Sequence, residues 1–97
     1  MNLRSRKLLD LAKGQPCVMC GTEDGTTVAA HSNLIEHGKG TGIKAHDGMT
    51  AWLCMKCHYE LDQGGNLGKA ERTELILTAI CRTYQKLWDQ ELIGVKS

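Results

Sequence analysis

The chain has 97 residues, a formal net charge of +1, 4% aromatic residues and no Phe. That length fits one domain over 1–97, the near-balanced charge excludes a global basic field of the kind that gathers nucleic acid, and no stretch approaches the roughly 18 apolar residues that cross a bilayer. So few large apolar groups leave a thin core, which a metal staple can supplement.

Residues 1–13 interleave Leu3, Leu8, Leu9 and Leu11 with Arg4, Arg6, Lys7 and Lys13, against one acid, Asp10. The spacing predicts a short helix ending near Gly14, with Leu8, Leu11 and Ala12 facing inward. Its basic residues form either a solvated face or an arm that touches phosphates, Arg4 and Arg6 foremost. The N-terminus is not followed by the apolar run of a signal peptide, so a cytoplasmic protein with reduced thiols is expected.

Gln15-Pro16 stops this helix, and Cys17-Val-Met-Cys20-Gly21 follows as a first Cys-x-x-Cys turn. Thr26 to His31 is rich in β-branched residues and reads as a strand that delivers His31 at its end. Residues 32–49 hold four glycines with His37, Lys39, Lys44, His46 and Asp47. They read as a long loop of little regular structure, whose length marks it as functional or mobile and whose glycines and lysines (Lys39, Lys44) suit a phosphate backbone. Met49 to Leu53 reads as a second strand running into Cys54. A short helix over Lys56–Asp62 follows, ended by Gln63-Gly64-Gly65. From about Lys69 to Leu92, Ile76, Ile80, Tyr84, Leu87, Trp88 and Leu92 recur at helical spacing and predict a long amphipathic helix ending near Gly94. Its apolar face can pack on its own domain or on a second subunit. Trp88 is expected in packing, and Cys81 as a small, partly buried apolar residue.

Two Cys-x-x-Cys pairs, Cys17/Cys20 and Cys54/Cys57, are the usual ligand set of a tetrahedral zinc. Four thiolates close the coordination sphere, so the zinc is structural. His58 is then surplus to that site. It lies four residues before Asp62 on one helix face, where an imidazole and a carboxylate can share a divalent cation. His31, if it faces that cation from the neighbouring strand, is placed to take a proton from water while the metal neutralises charge on a phosphate. These parts amount to a one-metal phosphodiesterase. Each also has a plainer reading: His31 as a surface or capping histidine, His58 as support for the zinc, Asp47 as a turn residue, Asp62 as a helix cap or salt-bridge partner.

Ala30-His31, Gly40-Thr41-Gly42-Ile43-Lys44, Asp47 and Cys54-x-x-Cys57-His58-x-Glu60-x-Asp62 together resemble the HNH, or His-Me finger, endonucleases of the zinc-stapled type, and among these the small phage and prophage nucleases of the YbcO type. The matching core is residues 17–63. The resemblance implies an α+β, ββα-metal fold flanked by the N-terminal helix and the long C-terminal helix. It implies His31 as general base, Asp47 in the position that orients it, and His58 as ligand of a catalytic divalent metal, Mg2+ or Mn2+, beside the structural Zn2+. Many HNH proteins place a second metal ligand directly before the base. Here that position is Ala30, so the second ligand falls to Asp62, to the 32–49 loop or to the DNA itself. The resulting expectation is a DNA endonuclease or nickase, phage- or prophage-encoded and working in a bacterial cytoplasm. Its rivals are an inactive zinc-stabilised nucleic-acid-binding module and a protein-interaction adaptor built on the long helix.

Overall fold

The computed structural model describes residues 2–96. The architecture is α+β: helix α1 (Arg6–Asp10), strand β1 (Val28–His31), strand β2 (Thr50–Leu53), helix α2 (Met55–Asp62) and the long helix α3 (Lys69–Asp89), with a short 3-10 turn over Ile35–His37. β1 and β2 form a two-stranded antiparallel sheet in the register Val28↔Leu53, Ala29↔Trp52, Ala30↔Ala51 and His31↔Thr50. Among the described residues, no helix is long and apolar enough to cross a membrane.

β2 is buried along its whole length and lies between β1 and α3. The inner stripe of α3 is Ile76, Ala79, Ile80, Thr83 and Leu87, all buried. These recur at three- and four-residue steps, which keeps them on one helix face. Trp52 N–H donates to Thr83 Oγ1 at 3.0 Å, and that hydroxyl donates to Ala79 O at 2.8 Å. Trp52 O accepts from Val18 N–H at 3.0 Å. The backbone of Trp52 is thus satisfied on the side facing away from β1 by a side chain and by the first cysteine turn.

Four expectations are corrected. The N-terminal helix is shorter than residues 1–13: it runs only over Arg6–Asp10, with Ser5 as its N-cap accepting from Leu8 N–H. Residues 2–5 stay outside the helix, and Asn2, Arg4 and Ser5 spend polar groups on the distant 32–49 loop. Met1 lies outside the described residues. Second, α3 stops at Asp89 rather than Leu92. Glu91 takes a left-handed conformation (φ 55°), Glu91 N–H bonds to Trp88 O and Leu92 N–H to Leu87 O, which closes the helix end without a glycine. Third, Trp88 is 50% exposed, since it sits one residue, and so about 100°, past the buried Leu87. Fourth, Cys81 is exposed. The loop also has more order than its composition suggests. Gly40 and Ile43 exchange backbone hydrogen bonds around a tight turn in which Gly42 takes φ +68°, and Lys39 and Lys44 flank that turn.

Candidate active site

The two cysteine turns converge at one end of the sheet. Gly21 takes φ +76°, and its N–H closes the first turn on Cys17 O at 2.9 Å. Cys54 ends β2 and is the N-cap of α2, so Cys57 follows in the first helical turn. The sulfurs of Cys17, Cys20, Cys54 and Cys57 all lie within 4.8 Å of one another, and those of Cys20 and Cys54 are 3.6 Å apart. Sulfurs held about 2.3 Å from a tetrahedral zinc stand about 3.8 Å from each other, so the cluster can hold such an ion. Burial raises the Cys17 thiol, but backbone N–H groups of Cys20, Cys54 and Met19 aimed at it outweigh burial and bring it to about 6. Burial pushes the Cys54 and Cys57 thiols up.

The sheet carries His31 away from that cluster. His31 pairs with Thr50 across the sheet, and Thr50 Oγ1 donates to Asp47 O at 3.0 Å. This folds the chain back so that the Asp47 carboxylate meets the imidazole, with His31 Nε2 and Asp47 Oδ1 2.8 Å apart. Asp47 is buried, at 3% exposure. Its Oδ2 accepts from Ser5 N–H at 2.6 Å, and its Oδ1 also accepts from Arg4 Nη1 at 3.2 Å. Burial alone raises the Asp47 carboxyl, but the hydrogen bonds from His31 and Ser5, with the charges of His31 and Arg4, hold it below the ordinary carboxylate value. An ionised carboxylate only accepts hydrogen bonds. Nε2 of His31 therefore carries the hydrogen and donates it, leaving Nδ1 as the acceptor nitrogen.

α2 presents the facing wall. His58 Nε2 and Asp62 Oδ2 are 3.0 Å apart, one helical turn from each other, and both are about one-third exposed. Two donors each about 2.1 Å from an octahedral ion, in adjacent positions, are about 3.0 Å apart, so this pair can hold a divalent cation at the lip of the cleft. Asn33 Nδ2 donates to Asp62 Oδ1 at 3.0 Å and fixes the carboxylate from the β1 side. His31, His58, Asp62, Lys39 and Lys44 line one pocket of about 250 Å³, with Ala29 and Asn33. Ala30 points the other way, into the core at 1% exposure opposite Ala51. A ligand at position 30 would not reach this pocket, whereas Asp62 does.

The remaining expected residues fall outside this pocket. Arg4 is engaged within the chain: its guanidinium donates to Ala45 O and Lys44 O, both at 2.6 Å, as well as to Asp47. Arg6 is exposed at the start of α1 and lines a shallower depression with Arg4, Lys44 and His31. His37 Nδ1 and the buried Ser32 Oγ are 2.7 Å apart, and His46 Nδ1 accepts from Leu3 N–H at 2.9 Å, so one loop histidine meets a side chain and the other the backbone. Asn33 escaped the sequence reading. It follows His31 by two residues, the spacing that repeats a side of an extended chain, and that was the available signal.

The family model described as "Putative nuclease YbcO" matches residues 6–92 of the chain. No curated protein matches, and no solved structure does.

Proposed function

This chain belongs to the YbcO nuclease family, and we propose that it is a metal-dependent HNH-type endonuclease or nickase that hydrolyses DNA phosphodiester bonds. The observation that carries the reading is the one pocket lined together by His31, held by buried Asp47, by His58 and Asp62, and by Lys39 and Lys44. Cys17, Cys20, Cys54 and Cys57 hold a structural zinc that fixes the start of α2.

Lys39 and Lys44 receive the phosphate backbone. His31 Nδ1 takes a proton from water as the water oxygen bonds to phosphorus, and the phosphorus–oxygen bond to the leaving strand breaks. Asp47 keeps the imidazole in the tautomer that can accept this proton, and its negative charge stabilises the imidazolium that results. His58 and Asp62 would hold the divalent cation, Mg2+ or Mn2+, which when bound neutralises charge on the phosphate and the leaving oxygen. Arg4 acts at one remove, by holding Asp47 and the loop in place.

The test is nicking of supercoiled plasmid by zinc-loaded protein with Mg2+ or Mn2+, beside a control with neither metal added. His31→Ala is expected to lower the rate about 10²–10⁴-fold while zinc content and the far-UV circular dichroism spectrum stay unchanged. Metal-dependent cleavage that survives His31→Ala would remove the base from its assigned role. Absence of cleavage by zinc-loaded wild type in every divalent metal would sink the nuclease reading.

A further inference from the structure

A second pocket adjoins the first. It has a volume of about 280 Å³ and lies between the turn after β1, α2 and the first turns of α3. Asn33 and Asp62 line both pockets, so the two share a wall. The floor is apolar, made by Leu34, Leu61 and Ile76. Lys69 and Arg72 stand at its rim. Arg72 is a rigid feature there, because its guanidinium donates to Gly64 O and to Leu67 O. The nearby Glu71 carboxylate turns back to accept from Gly68 N–H at 3.0 Å, which leaves the rim net positive.

An apolar slot with cations at its edge, one side chain away from Asp62, is complementary to a flat ring system attached to a phosphate. Its volume is at the small end of ligand pockets, which run about 300–1,000 Å³. A base inside a duplex cannot enter such a slot without leaving its stack. We infer that this pocket seats an unpaired nucleobase of the strand being cut, next to the scissile phosphate. The inference rests on the nuclease reading for its ligand class, and it adds a substrate class. The protein acts where a nucleotide is already unpaired, in a single strand, a flap or a branch point, in preference to continuous duplex.

Binding by zinc-loaded protein, in buffer without added Mg2+ or Mn2+, tests this without cleavage. The probes are a short fluorescein-labelled single strand, the same sequence as duplex, and single strands carrying one abasic position at successive sites, read by fluorescence anisotropy. Thr73 lines the pocket from α3, and Thr73→Phe fills it. Wild type is expected to bind the single strand more tightly than the duplex. Thr73→Phe should weaken single-strand binding about tenfold and leave duplex binding unchanged. One abasic position should reproduce that loss in wild type and cost nothing further in Thr73→Phe. Lys69→Gln should weaken single-strand binding and lower its salt slope by about one unit. Equal affinity for both forms, or a single-strand affinity untouched by every abasic position, overturns the subsite even if plasmid nicking succeeds. Failure of nicking with these binding results intact would instead remove the nuclease reading. Should Thr73→Phe not fold, the abasic series on wild-type protein decides the matter alone.

Discussion

The two walls of the candidate cleft are held by opposite means. The α2 wall is anchored at the Cys54 end by a cluster of four cysteines gathered from two local turns. The loop wall, residues 32–49, has no such staple. It is laced to residues 2–5 by polar bonds: Asn2 Nδ2 donates to Gly38 O and Lys44 O, Leu3 N–H to His46 Nδ1, Asp47 N–H to Leu3 O, Arg4 to Lys44 O and Ala45 O, and Ser5 N–H to Asp47 Oδ2. One wall carries four sulfurs that can close on a single ion, whereas the other is held by many weak bonds spread over the backbone. A metal cluster fails all at once, whereas a lacing loosens one strand at a time. His58 and Asp62 depend on the first, His31 and Asp47 on the second.

Removing the staple should break the comparison outright. Metal binding by a four-thiolate site carries about 10–16 kcal/mol in small zinc peptides, as much as or more than a whole small domain retains, about 5–15 kcal/mol. Cys54→Ser, or chelation of wild type, is expected to abolish the cooperative thermal transition followed by circular dichroism. A transition that persists with zinc absent would show that the sheet and α3 suffice.

The lacing should respond in a graded way. Asp47→Ala leaves the Ser5 N–H and His31 Nε2 without their acceptor and is expected to cost about 1–3 kcal/mol, with zinc still bound. Differential scanning calorimetry with a zinc assay separates this from loss of the staple. Acid offers the same test without a mutation. Because the folded Asp47 carboxyl lies below its ordinary value of 3.8, its contribution is complete above 3.8 and is lost as pH falls through the lower folded value. Protons compete for thiolate ligands at milder acidity. On lowering the pH, zinc release and loss of the cooperative fold should therefore come before the range in which Asp47 titrates, and zinc retained through that range would contradict the assignment of the two walls. Smallest in effect, Asn2→Ala removes two side-chain bonds and should cost about 1 kcal/mol. Amide hydrogen exchange should then rise near Gly38 and Lys44 and nowhere around α2.

The same contrast explains what the sequence revealed. The cysteine turns, α2 and the start of α3 are written in short spacings, two residues between thiols or three and four between apolar side chains, and a reader of the chain meets those directly. Asp47 and His58 were legible through motif order. The lacing was not, because its bonds join residues 36 to 44 positions apart and draw on backbone groups that every sequence possesses. Trp88 was misplaced by one residue of helical phase, because a Trp beside Leu87 fits the apolar pattern as well on either side of the stripe. The end of α3 was misplaced because Glu91 fills a left-handed position that glycine usually takes.

The hydroxyl of Thr83 has a consequence for how copies of this protein meet. A strand whose outer backbone groups are free is a template for another chain, and two-stranded sheets offer such edges on both sides. At Trp52 the edge of β2 is occupied: Thr83 takes the N–H and Val18 takes the carbonyl. A stray strand cannot add there without first displacing a helix and a cysteine turn. The buried β2 is thereby kept from pairing with another chain at Trp52.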